Sequence, residues 1–208
     1  MDNFYSRMNI KTSGKKKVAD FVLKNFNDKH TLVLDLGAGT CVIDQMLLDG
    51  EFKGSIIAVD HNDKCAVQET KNFEFVCDDL FSGFVNRMPM IKNYKKVVIV
   101  LSAIIHELDA KELRDLAALI RTVKHFTNVS LIIREPVITP LLIEKHFAII
   151  KSDEFEFYRK LHKKNDWPRE IAFINYCFLK SYGEGSWERE KNEGRFTYTF
   201  KEVKRIRS

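Results

Sequence analysis

The ten residues from Thr31 to Thr40, with the sequence TLVLDLGAGT, constrain the fold more than any other part of the chain. Leu32 to Asp35 predict a short buried strand, the glycines after it predict a tight turn, and Thr40 to Ile43 predict the start of a helix. Glycine lets the backbone approach a ligand because it has no Cβ, and a helix N-terminus offers free N–H groups and positive potential. We therefore expect a cradle for a small ligand, formed by Gly37, Ala38, Gly39 and Thr40.

Two acids and a missing glycine indicate which ligand this cradle would hold. Asp35 precedes the turn, where it would repel a pyrophosphate but attract an ammonium or sulfonium group. Asp60 ends a predicted strand, 21 residues after Gly39, where a carboxylate can accept hydrogen bonds from both hydroxyls of a ribose. Val42 stands where the dinucleotide-binding fingerprint has its third glycine. Together these features describe S-adenosylmethionine, which has a ribose, no phosphate and a cationic amino-acid end.

At these residues the chain resembles the class I S-adenosylmethionine-dependent methyltransferases. Asp35-Leu-Gly-Ala-Gly-Thr40 is similar to their first motif and Ile57-Ala-Val-Asp60 to their second, and the resemblance runs from about Thr31 to Pro136. It implies an α/β, Rossmann-like fold, a seven-stranded mixed sheet with helices on both faces and an antiparallel last strand. The implied activity is transfer of a methyl group from S-adenosylmethionine to an O or N nucleophile.

The resemblance also assigns cofactor contacts to single residues. Asp35, Gly37 and Gly39 would hold the methionine end, and Asp60 would hold the ribose.

For the adenine, the resemblance implies contacts from two neighbouring strand ends. His61 would pack on the ring, unless it is simply an exposed loop histidine. An acid after the third strand would accept a hydrogen bond from the amino group. Asp78 best fits this place, and Asp79 is the alternative, although Asp79 could instead cap the next helix.

The exit of the predicted fourth strand is where this fold places the transferring methyl group, and Ser102, His106 and Glu107 follow that strand. Ser102 would line the site, His106 is the candidate general base because imidazole titrates near neutral pH, and Glu107 would orient it or hold a substrate cation. Two alternatives stay open. Many methyltransferases need only an aligned nucleophile, and His106 could pack beneath the next helix. A His–Glu pair alone is not a metal site, so no metal is expected.

A chain of 208 residues most simply forms one domain. We divide it into a basic N-terminal helix (1–29), a cofactor-binding core (30–136) and a C-terminal part on the substrate side (137–208). Residues 1–29 carry seven Lys and Arg against three acids, and residues 151–208 carry fourteen against ten. Basic flanks favour an anionic acceptor such as nucleic acid, although a solvated basic surface explains them equally well.

Turn signals and apolar periodicity predict the remaining elements. A helix begins at Ser13, and three lysines in its first turn, Lys15, Lys16 and Lys17, oppose its dipole, which hints at another use such as phosphate binding. Further helices are predicted at 41–49, from Asp63, at 80–88 and at 109–125, where Asp109 and Glu112 form a capping box. Strands are predicted at 55–60, 73–77, 96–101, 129–133, 171–179 and 195–200, and a loop with a short helix at 182–194.

No apolar run reaches the ~18 residues that a membrane span needs, and no signal peptide is expected. The dispersed cysteines Cys41, Cys65, Cys77 and Cys177 fit a cytoplasmic protein. The methyl acceptor stays open among nucleic acid, small molecules and proteins. Two other functions also remain: an inactive methyltransferase-like module that binds nucleic acid or a protein partner, and an NAD-dependent oxidoreductase, which the missing glycine and Asp35 disfavour.

Overall fold

The computed structural model describes residues 13–105, 108–136, 188–192 and 195–199, and these form four helices and seven strands. The helices are α1 (Ser13–Phe26), α2 (Val42–Asp49), α3 (Leu80–Ile91) and α4 (Ala110–Lys124). The strands are β1 (Thr31–Leu36), β2 (Ser55–Asp60), β3 (Phe73–Cys77), β4 (Lys96–Ser102), β5 (Asn128–Pro136), β6 (Glu188–Asn192) and β7 (Arg195–Thr199).

One sheet contains all these strands, in the order β3-β2-β1-β4-β5-β7-β6. Strands β1 to β5 are parallel, whereas β7 runs antiparallel to both β5 and β6. The chain order reverses between β1 and β4, where Leu36 pairs with Leu101. In open α/β sheets such a switch point opens a crevice at the carboxyl ends of the strands, which is where ligands bind. The predicted α/β, Rossmann-like class is confirmed in this general form.

The centre of the sheet, strands β1 and β4, is apolar on both faces, and helices pack against each face. Alternate residues of β1 and β4 point to opposite sides, as the strand period of two requires. Leu34 and Ile99 pack in one buried cluster with residues of α3 and α4. Val33 and Val98 pack in the other, with residues of α1 and α2. This sandwich explains why both strands are continuous apolar runs and holds their carboxyl ends rigidly.

The capping box predicted for α4 is confirmed. The Asp109 side chain accepts a hydrogen bond from the Glu112 backbone N–H at 2.7 Å, and the Glu112 carboxylate accepts from the Asp109 N–H at 2.7 Å. This reciprocal pair satisfies two N–H groups that a helix N-terminus leaves without intrahelical partners.

The helix predicted from Asp63 is wrong, since no helix lies between β2 and β3. The cap signal there is not followed by an apolar face at helical spacing, and only Cys65 and Val67 of this segment pack against the core. The Asn62 N–H instead donates to the Asp60 carboxylate at 2.8 Å, which turns the chain back at the end of β2.

The short helix predicted within 182–194 is also wrong for the residues that the structure describes, because Glu188–Asn192 is strand β6. Glu, Arg and Lys favour helices by intrinsic propensity, but pairing with β7 decides here. The register places Glu188 opposite Thr199 and Asn192 opposite Arg195. The strand predicted at 171–179 lies outside the described residues.

Candidate functional site

The glycine turn between β1 and α2 is held against the end of β2. The backbone N–H groups of Gly37 and Ala38 both donate to the Val59 carbonyl, at 2.8 and 3.1 Å. Gly37 and Gly39 have φ values of 76° and 61°, a backbone region that residues other than glycine rarely adopt. A Cβ on Gly39 would meet no atom within 4 Å, so this residue faces open space beside the turn.

Asp60 occupies the tip of β2 and faces this turn. One of its carboxylate oxygens accepts from the Gly39 N–H at 2.8 Å and the other from the Asn62 N–H at 2.8 Å. The side chain is 10% exposed. A carboxylate can accept about four hydrogen bonds, so two acceptor positions remain for a ligand. The neighbouring His61 ring is 75% exposed, with Nδ1 3.7 Å from the Asp60 carboxylate.

A cleft of about 170 Å³ opens at the carboxyl ends of β1, β2 and β4. The predicted site residues that line it are Asp35, Gly37, Ala38, Gly39, Thr40, Asp60, His61 and Ser102. Because these residues come from three different strand ends, only the parallel sheet brings them together. The cleft lies at the switch point between β1 and β4, as expected for this class of sheet.

Asp78 and Asp79 do not line the cleft. The Asp79 side chain caps α3 and accepts from the N–H groups of Phe81 and Ser82, at 2.9 and 3.0 Å. Hydrogen bonding to Ser82 holds the pKa of Asp79 below its ordinary value. The Asp78 carboxylate accepts from the Asp79 N–H at 2.8 Å, while its own N–H donates to the Asp60 carbonyl at 3.1 Å. Asp79 therefore has the capping role that the sequence left open, and an adenine contact from Asp78 stays a prediction.

The exit of β4 carries an unusual backbone conformation. Ala103 has a φ of 64°, and its N–H donates to the Arg134 carbonyl of β5 at 2.7 Å. The preceding Ser102 lines the cleft, and its buried hydroxyl meets no hydrogen-bond partner among the described residues. Ile104 packs over the glycine turn, with its Cδ1 2.9 Å from where a Cβ on Gly37 would lie. His106 and Glu107 lie outside the described residues, so their predicted roles stay predictions.

Two charged residues at the cleft were not among the predicted site residues. Lys15 of α1 lines it, whereas Asp44, in the first turn of α2, is 0% exposed and acts on the charge of Asp35, which is itself 1% exposed. The signals in the sequence were an acid between Ile43 and Leu47 on the apolar face of a helix, and a lysine opposing a helix dipole. The lysine opposes its helix dipole, and the acid lies where an apolar residue is expected, so both charges point to a role beyond packing of their helices.

The two acids are strongly perturbed. Burial, together with the charge of Asp44, raises the pKa of Asp35 well above its ordinary range. Burial likewise raises the pKa of Asp44 from 3.8 to about 7. The positive charge of Lys15 acts in the opposite direction on both carboxyls. Strongly shifted titratable groups in a cleft mark candidate functional sites.

Cys41 begins α2 in the left-handed region, with a φ of 58°. Its thiol is buried, and burial raises its pKa, so the thiol stays protonated and unreactive near neutral pH. Cys41, Cys65 and Cys77 are all free thiols.

No model of a known protein family matches this sequence, and a search of curated proteins finds no match either. Solved structures do match. A SAM-dependent methyltransferase from Archaeoglobus fulgidus is 14% identical, with a TM-score of 0.51, covering 97% of this chain and 100% of that chain. SMU.776, assigned as a methyltransferase and solved with SAH, is 13% identical, with a TM-score of 0.50, covering 90% of this chain and 48% of the other.

This protein has the class I methyltransferase fold. The order of the parallel strands and the position of the cleft agree with that assignment. Within the part of the chain that the structure describes, no three His, Cys, Asp or Glu side chains are grouped to hold a metal ion. No helix in the same residues is both long and apolar enough to cross a membrane.

Proposed function

We propose that this protein is an S-adenosylmethionine-dependent methyltransferase that transfers a methyl group to an O or N nucleophile of its acceptor. The observation that carries the proposal is the placement of two acids around the open glycine turn. Asp35 and Asp60 both line the cleft at the switch point of the sheet, and Asp60 is bonded to the Gly39 N–H at 2.8 Å.

The residues of the cleft fit this cofactor. Asp60 keeps two acceptor positions for the ribose hydroxyls, and the open space beside Gly39 lets a ligand approach the backbone. Asp35 is buried, and its Oδ1 lacks a donor among the described residues, so a cationic group would satisfy it. A pyrophosphate would instead place negative charge between two acids, which disfavours a nicotinamide dinucleotide.

The acceptor would approach from the exit of β4. The cofactor supplies an electrophilic methyl group on a sulfonium, and the chain supplies position and proton transfer. The buried Ser102 hydroxyl lines this end of the cleft and would bind the cofactor or the acceptor. We propose His106 as the base that takes the proton of the attacking O–H or N–H group and Glu107 as the residue that orients it. Alignment of the nucleophile alone supplies a large part of the acceleration in such a reaction.

Thermal unfolding with S-adenosylhomocysteine, with NADH and without ligand tests the cofactor. A ligand present at 100 times its Kd adds about 2.7 kcal/mol to the free energy of unfolding. For a domain of this size that raises the midpoint by about 5–10 °C. A shift with S-adenosylhomocysteine alone supports the proposal and leads to transfer assays with RNA, DNA, proteins and small molecules. No shift at millimolar S-adenosylhomocysteine contradicts it.

A further inference from the structure

Two buried carboxyl groups influence each other at the cleft. Asp35 of β1 lines the cleft and is 1% exposed, whereas Asp44 of α2 is 0% exposed, and each carboxyl shifts the pKa of the other. Three of their four oxygens, Asp35 Oδ1 and both of Asp44, are buried with no hydrogen-bond partner in the part of the chain that the structure describes. A buried acceptor without a hydrogen bond destabilises the native state. A proton on one carboxyl would let that carboxyl donate a hydrogen bond to the other and so lower this cost.

The charges around the pair favour one shared proton in the empty site. Asp60 on β2 adds a further negative charge that acts on Asp35, and Lys15 on α1 supplies the opposing positive charge. The nearby Cys41 thiol contributes no charge near neutral pH, since burial raises its pKa. Two interacting acids of this kind lose their protons as a pair rather than individually.

We propose, resting on the function proposed above, that Asp44 is a positioning residue for the methionine end of the cofactor. It shares one proton with Asp35 in the empty site, and binding of the cofactor's cationic amino-acid end releases that proton to the solvent. No other bond changes in this step. The proton leaves the Asp35–Asp44 pair, and the ammonium group of the ligand takes its place as the partner of the Asp35 carboxylate.

Charge complementarity gives the direction of the effect. A cation placed within hydrogen-bonding distance of Asp35 favours the ionised form of the pair. Lys15, which lines the same cleft, offers the positive charge that the carboxylate of the methionine end needs. The site therefore presents both signs of charge to a zwitterionic end. Its affinity for the ligand is expected to rise with pH while the empty pair still holds its proton.

Isothermal titration calorimetry of S-adenosylhomocysteine into the whole chain tests this proposal. Titrations at pH 6 and 7 in buffers of different ionisation enthalpy give the number of protons released. We expect about 0.5–1 proton per ligand for the wild-type protein, and affinity that increases about 3–10-fold between the two pH values. The Asp44→Asn variant keeps the shape of the side chain but cannot share the proton. The number of protons that it releases on binding the ligand should therefore be close to zero. Since the ligand's own groups titrate identically against both proteins, the difference between them isolates the pair.

Asp49→Asn is the matched control, because Asp49 is an exposed acid at the other end of α2, bonded to Gln45 at 2.7 Å. Its proton release should equal that of the wild-type protein. Equal release from the wild-type protein and Asp44→Asn overturns the inference while leaving the proposed cofactor intact. Binding to the wild-type protein with no proton release overturns it as well, even if the variant does not fold. Absence of any binding heat and of any thermal shift overturns both the proposed function and this inference.

Discussion

Replacing Asp44 by asparagine should change how stability depends on pH in the absence of any ligand. The native protein keeps a proton on the Asp35–Asp44 pair at pH values where the unfolded chain has lost it, because burial raises the pKa of Asp44 from 3.8 to about 7. The free energy of unfolding therefore falls as pH rises between these two values. Above pH 7 this contribution becomes constant, and below pH 3.8 it vanishes.

The size of the effect follows from the same pKa. Between pH 5 and pH 8 the free-energy cost of ionising Asp44 in the native state grows by the equivalent of about two pKa units. At 1.36 kcal/mol per unit this is roughly 3 kcal/mol. For a chain of this length that corresponds to a fall in Tm of roughly 6–12 °C. The amide of the Asp44→Asn variant does not ionise and can donate to Asp35 Oδ1, which otherwise lacks a donor among the described residues. Between pH 5 and pH 8 the free energy of unfolding of the variant should therefore rise by about 3 kcal/mol relative to that of the wild-type protein.

Urea unfolding at pH 5, 6, 7 and 8, followed by circular dichroism, measures this difference. Asp115→Asn is the control for a general change in charge, since Asp115 is exposed and pairs with Lys111 at 3.0 Å on the surface of α4. Its curve should run parallel to that of the wild-type protein. Parallel curves for the wild-type protein and Asp44→Asn would refute the reasoning, because they would mean that Asp44 titrates normally in the native state.

Three further predictions concern the turn, the ribose and the acceptor. Gly37→Ala should lower the free energy of unfolding by about 1–3 kcal/mol, because the φ of 76° strains an alanine and the new Cβ would meet the Ile104 side chain at 2.9 Å. An unchanged urea midpoint would contradict this prediction. Asp60→Asn should weaken S-adenosylhomocysteine binding by about 1.5–3 kcal/mol in calorimetry, the scale of a hydrogen bond to a charged group. Asp63→Asn, in the exposed loop that follows β2, should leave binding unchanged. If His106 is the base, His106→Ala should leave cofactor binding intact and slow transfer by ~10²-fold or more, and an equal single-turnover rate would remove it from that role.

Local sequence signals predicted much of the parallel part of the fold. The observed bounds of β2 and β3, at Ser55–Asp60 and Phe73–Cys77, match the predicted ones, because continuous or alternating apolar residues and flanking turn signals agree there. Prediction failed where the intrinsic helix propensity of single residues competed with pairing between two strands. The charged residues of β6 favour a helix locally, yet β7 pairs with them to form a strand.

The candidate site divides in the same way. The motif from Asp35 to Thr40 specifies its own turn, because glycines with positive φ and a following helix start act over a few residues. Its distance in sequence from Asp60 indicated a shared ligand, and the structure adds a direct hydrogen bond from Gly39 to that acid. In contrast, the sequence left open whether Asp79 binds the ligand or caps a helix, and the structure shows it as the cap of α3, outside the residues that line the cleft.

The sequence by itself therefore determined the glycine turn, the acid at the tip of β2 and the strand whose exit lines the cleft, since each depends on neighbours in the chain. Only the tertiary structure decided that Asp44 is buried where its charge acts on Asp35 and that Lys15 lines the same cleft. These contacts depend on how α1 and α2 pack on one face of the sheet. The raised pKa values of the two acids exist for the same reason, because burial requires the completed core.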